Sequence, residues 1–148
     1  MGQLAEQAAA RLAAERTLTM QSLLDLTDEE CARSVEYEGR PQRTGRMLRN
    51  FTSHTLDHYQ HLHRLMQARG RKLSEAQLLL MKAEALQAEF TALLRTLSDA
   101  EFTQTGPNEG DWSASQILDH VINNERKYRE TILSGRTPDS DRDAGPGR

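Results

Sequence analysis

SEAQLLLMKAEALQAEFTALLRTL, residues 74–97, sets the architecture expected of the whole chain. Leu79, Ala83, Leu86, Phe90, Leu93 and Leu97 recur alternately four and three apart. That spacing returns each side chain to one narrow face of a helix turning about 100° per residue. A seam this straight belongs to a helix packed nearly parallel to its neighbours, as in a four-helix bundle. Ser74, with Gln77 three positions on, has the capping-box pattern that opens such a helix.

Working back from this seam, residues from about Thr44 to Ala68 form a second strongly helical stretch, with Gly70 as its stop. Residues 36–43, EYEGRPQR, contain Gly39 and Pro41 and read as a loop. Before them, Thr27 and Glu30 make another capping box, opening a short helical turn. Leu4, Ala8, Leu12, Thr19, Leu23 and Leu26 place an amphipathic helix over residues 3–26. Working forward, residues 103–111 are rich in turn formers. A last helix runs from near Ser113 to near Ser134, with Ile117, Val121, Tyr128 and Ile132 on one face and Gly135 as its stop. No stretch alternates with period two, so no sheet is expected. The expectation is an all-α, antiparallel four-helix bundle occupying residues 1–135 as one domain. The tail 136–148 has no large apolar anchor and is expected to be disordered.

Composition narrows the function. With 148 residues, 28% charged and 36% hydrophobic, the chain is long enough for one real core. A net charge of −3 supplies no basic surface for nucleic acid. No apolar run approaches the ~20 residues of a membrane span, and the amino terminus lacks a signal-peptide core. The single cysteine, Cys31, excludes an internal disulfide framework. A cytoplasmic protein is expected.

The two halves echo one another. LLDLTDEEC, residues 23–31, matches LLRTLSDAEF, 93–102, pairing Leu26 with Leu97, Asp28 with Asp99 and Glu30 with Glu101. With a shorter connection in the second half, Leu48, Phe51, His54, Leu62 and Met66 fall on Ala114, Ile117, His120, Tyr128 and Ile132. A duplicated helix pair of this kind packs as a pseudo-twofold bundle.

Four of the five histidines lie in FTSHTLDHYQHLH, residues 51–63. On a helix, His54, His58 and His61 share one stripe that overlaps the apolar arc of Met47, Phe51, Leu62 and Leu65, while His63 faces away. Two imidazoles one turn apart can serve one metal, and His120 on the last helix could supply a third ligand. Hydrogen-bonded rim histidines are the plain alternative. HTLDH carries Thr55 where a zincin helix has its glutamate base, which argues against a metalloprotease. The paired Glu-x-x-His sets of a di-iron bundle are also missing.

WSASQILDHVINNERKY, residues 112–128, resembles the signature helix of the DinB/YfiT family of metal-dependent enzymes. That family has a W-S opening, a histidine, and an acidic residue five positions later, matched here by Trp112, Ser113, His120 and Glu125. Its second motif, H-x-x-x-H, is matched by His54 and His58, although the two motifs come here in exchanged order. The resemblance implies a divalent metal, zinc or nickel, held by His54, His58 and His120 on a four-helix bundle that forms a homodimer. It further implies a small-molecule substrate and a low-molecular-weight thiol as co-substrate in group transfer or isomerisation. Glu125 is the one catalytic candidate, as a residue that positions a ligand or a water, with a solvated charge on the bundle rim as the plain alternative. A metal-dependent hydrolase and a non-catalytic metal-binding or interaction module are the alternatives.

Overall fold

A computed structural model describes residues 2–136, so residues 137–148 of the expected tail lie outside the described residues. Along the chain run α1 (Gln3–Leu23), α2 (Asp28–Ala32), β1 (Ser34–Tyr37), β2 (Arg40–Arg43), α3 (Thr44–Ala68), α4 (Glu75–Leu94), α5 (Asp99–Thr103) and α6 (Ala114–Ser134). The protein is therefore mostly helical, as its periodicity predicts, with one small two-stranded sheet that the periodicity does not predict. Among the described residues, no helix is long and apolar enough to cross a membrane.

Most helix ends are closed by short local bonds. Thr27, Ser74, Ser98 and Ser113 each accept a hydrogen bond from the backbone N–H three residues on, and the side chain there accepts from the cap's own N–H. These boxes satisfy backbone donors that a helix start leaves without partners. In two of them the third residue is a glutamate. The Thr27 backbone N–H, its hydroxyl and nearby Arg33 hold the Glu30 carboxyl below its ordinary 4.5. The Ser98 hydroxyl and backbone N–H lower Glu101 in the same way. At the end of α3, Gly70 takes φ +67°, Arg71 N–H donates to the Met66 carbonyl at 3.0 Å and Gly70 N–H to Gln67 at 2.9 Å. This paired closure needs a left-handed residue, which glycine adopts without a Cβ penalty.

The loop expected at 36–43 is instead a hairpin. Ser34 pairs with Arg43, Val35 with Gln42, Glu36 with Pro41 and Tyr37 with Arg40. Glu38 and Gly39, at φ 52° and 71°, form the turn, and two left-handed residues match the natural twist of two strands. With a two-residue turn, the pair Glu36–Pro41 falls at a non-hydrogen-bonded position, so proline's missing N–H costs the ladder nothing. Strands of four residues allow too little alternation for periodicity to reveal them. The hairpin also does the work of a cap: α3 has none of its own, and Thr44 N–H donates to the Arg33 carbonyl at 2.9 Å.

The chain divides into two compact units, Met1–Thr96 and Leu97–Arg148. In the first, the close neighbours are β1 with β2, α2 with α3 and α3 with β2; in the second, α5 packs on α6. Gly45 lets α2 approach α3, since a Cβ there would stand 3.2 Å from the Cys31 carbonyl oxygen. Cys31 is half-buried at this joint, in keeping with a small packing residue.

One further expectation needs correction. The seam does not run through to Leu97: α4 ends at Leu94, and Leu97 stands in the connection before α5. The Thr96 hydroxyl donates to the Leu93 carbonyl at 2.7 Å and Ser98 caps a new helix, so two competing local bonds break the register. Among the described residues no apolar side chain is buried, and Leu86 is 67% exposed. The four-three spacing of Leu79, Ala83, Leu86, Phe90 and Leu93 lies within the one helix α4.

The internal repeat is visible in the element boundaries. α1 and α4 end at Leu23 and Leu94, and α2 and α5 begin at Asp28 and Asp99, each 71 positions on. α3 and α6 end at Ala68 and Ser134, 66 positions apart. The offset shortens where a plain connection replaces the hairpin.

Candidate metal centre

α3 holds the histidine-rich stretch as one unbroken helix. His54 and His58 stand one turn apart, their Nε2 atoms 3.2 Å from each other and their rings edge-on at 4.5 Å. His61 continues the stripe at a ring distance of 6.4 Å from His58. His63 leaves it and packs on Tyr59 at 4.6 Å. The helical register read from the sequence thus holds. All of His54, His58 and His61 are exposed.

The 3.2 Å separation is a test of fit. Two nitrogens bound at ~2.0–2.1 Å to one tetrahedral ion lie about 3.3 Å apart. The pair is close to that separation, and 3.2 Å is equally a hydrogen-bonding distance between the two rings, so the geometry suits both a shared ion and a hydrogen-bonded pair. A surface hollow of about 540 Å³ lies elsewhere, near His63, Met66, Leu73 and Leu78. It contains neither His54 nor His58.

His120 belongs to the second unit, on α6. Ser113 opens this helix with Gln116 and is the one buried side chain among the described residues, 5% exposed. Trp112, just outside the cap, reaches over the first two turns and meets the His120 ring edge-on at 5.0 Å. Within the W-S pair, serine caps the helix and tryptophan lies edge-on to the histidine. The Asn124 amide hydrogen-bonds His120 Nε2 at 2.8 Å. Glu125 lies one position further along α6 and is exposed. Within neither unit, among the described residues, do three His, Cys, Asp or Glu side chains gather around one point. What the structure brings together is His54 with His58, and His120 with Trp112 and Asn124.

Sequence reasoning passed over Asn124. Its signal was present: it follows His120 by four positions, as His58 follows His54.

The model of the DinB superfamily matches residues 82–147, from the middle of α4 through α5 and α6. Residues 82–147 are DinB-like. The DinB-like stretch corresponds to one helix pair of the internal repeat and includes Trp112, Ser113, His120 and Glu125. His54 and His58 lie in the other half, outside it. No curated protein and no solved structure matches the chain.

Proposed function

We propose that this chain is a DinB-type metal-dependent enzyme in which His54, His58 and His120 hold one divalent ion, zinc or nickel. The observation that carries the reading is the 3.2 Å separation of the His54 and His58 Nε2 atoms, a chelating distance. The DinB-like character of residues 82–147 supports His120 as the third ligand. An ion with three imidazole ligands keeps a position open and supplies Lewis acidity that lowers the pKa of a bound water or thiol.

The chain's own residues have distinct parts in this scheme. His54 and His58 present their distal nitrogens from a rigid helix. Trp112 limits the swing of the His120 ring. Glu125, on the same helix, is the residue available to move a proton. A low-molecular-weight thiol as co-substrate makes the reaction a group transfer or isomerisation on a small molecule. Hydrolysis is the alternative chemistry at the same centre, and a module that holds metal without turnover is the alternative to catalysis.

The fold this requires is the antiparallel bundle of α1, α3, α4 and α6, assembled as a homodimer. Its support is the open apolar stripe of Leu79, Leu86 and Leu93, exposed by 63, 67 and 62%, with Leu78 and Leu80 beside it. Surface of that kind calls for a covering partner. The test is metal content after purification without an affinity tag, followed by turnover assays with small thiols and with simple esters. Bound zinc or nickel that His58→Ala abolishes supports the centre. Thiol consumption then indicates transfer, thiol-dependent rearrangement without net consumption indicates isomerisation, ester cleavage indicates hydrolysis, and none of these indicates the binding module.

A further inference from the structure

We propose that the cleft between the β1–β2 hairpin and the first two turns of α3 binds a small aromatic monocarboxylate, with Arg40 and Arg46 on its carboxylate. The cleft has a volume of about 390 Å³ and lies wholly within the first unit. That volume falls in the range of small-molecule sites, roughly 300–1,000 Å³. Its two walls follow from the local fold. In the hairpin register Tyr37 pairs with Arg40 and Val35 with Gln42, and partners across a ladder project from the same face. Tyr37, Arg40 and Gln42 all line the cleft. On α3, Asn50 follows Arg46 by four positions and Met47 by three, so these three share one helix face. β2 packs directly on α3, which brings the two faces together.

The chemistry of these walls selects the ligand. The chain carries a net charge of −3, yet the cleft holds two guanidiniums, Arg40 and Arg46, against one carboxylate, Glu38. This local excess of positive charge is balanced by a monocarboxylate and exceeded by a phosphate dianion. The planar guanidinium fork matches a carboxylate through two parallel N–H···O bonds. Asn50 adds a donor: its amide N–H rests on the Met47 sulfur at 3.7 Å, a weak acceptor that a carboxylate oxygen outcompetes. Tyr37, 48% exposed, offers an aromatic face to the body of the ligand, and half-buried Met47 supplies a polarisable floor. The site is separate from the histidine pair, since Asn50 precedes His54 by a full turn, and the inference does not rest on the metal reading.

The experiment is an amide-resolved NMR titration of the full-length chain with benzoate, with benzamide as the uncharged counterpart and inorganic phosphate as the competing anion. Saturable shifts should gather at the hairpin and the first two turns of α3, and benzamide should bind about 10-fold more weakly. Arg40→Gln and Arg46→Gln should each weaken benzoate by about 10-fold, whereas Glu38→Gln should tighten it by removing a repelling charge. All three side chains are exposed, and should a change at Arg40 or Glu38 disturb the hairpin, Arg46→Gln on the helix still carries the test. His58→Ala should bind benzoate as the unmodified chain does; a loss there puts the ligand at the histidines and overturns the proposal. Benzamide binding as tightly as benzoate, or phosphate binding more tightly, overturns the monocarboxylate class. Absence of saturable shifts, or an unchanged affinity in Arg46→Gln, overturns the site.

Discussion

The Nε2 atoms of His54 and His58 lie 3.2 Å apart on consecutive turns of α3, while His63 turns away to meet Tyr59. One helix therefore carries both a candidate ligand pair and its own control. His58→Ala should abolish measurable zinc binding, whereas His63→Ala should leave it within about threefold, because only the first removes a direct bond. Titration of both variants in one buffer checks this. Equal losses would show that the pair is not the ligand set.

Acid should open the capping boxes. Glu30 and Glu101 have carboxyls held below their ordinary 4.5 by hydrogen bonds to Thr27 and Ser98. A lowered folded value means that the stabilisation is present above the unfolded value and is lost as pH falls through the folded one. Side-chain NMR titration should place both midpoints below 4.5, with α2 and α5 loosening together in that acid range. Midpoints at or above the ordinary value would mean the boxes do not persist in solution.

Gly70→Ala should destabilise the protein by about 1 kcal/mol. There is open space around a Cβ at this position, but φ is +67°, so the cost is conformational rather than steric. Gly70→Asn should lose less, since asparagine tolerates the left-handed region better. Thermal melts of the two variants decide it, and equal losses would point to crowding instead.

Ser113→Ala removes the cap of α6 and should cost about 1 kcal/mol, with Ser113→Asp restoring most of it. Hydrogen exchange in the first turn of α6 is the measurement. A change confined to distant helices would show that the cap bond is not what serine contributes.

Phe90→Ala reports on closure of the proposed bundle. A seam buried by the other long helices should lose about 3–5 kcal/mol when this ring is cut back. A loss below about 1 kcal/mol would leave the stripe open to solvent and remove the bundle.

Features set within a few residues of chain were legible in advance. Thr27 with Glu30, Ser74 with Gln77, and Gly70 after Ala68 all mark boundaries where the structure has them. The span of α3 and the register of its histidines follow from the same local physics. Leu97 misled because it continues the four-three spacing by coincidence beyond a break that Thr96 and Ser98 impose. The hairpin stayed hidden because Pro41 argues against a strand unless its pairing position is known. For the histidines, pairing on one helix could be read from spacing. Which ring nitrogen of His120 meets Asn124 depends on side-chain geometry that spacing does not contain.

The dependence of α3 on the hairpin has a consequence for the order in which the molecule forms. α4, α5 and α6 begin with boxes that close within four residues, so the bonds at their starts form locally. The first N–H of α3 is instead satisfied by the Arg33 carbonyl, eleven positions earlier, across the closed hairpin. The turn at Glu38 and Gly39 must therefore close, on the microsecond scale of hairpins, before the front of α3 is secure. Substituting Gly39 should then delay the histidine helix selectively: its amides would gain protection after those of α4 in a pulse-labelled refolding experiment.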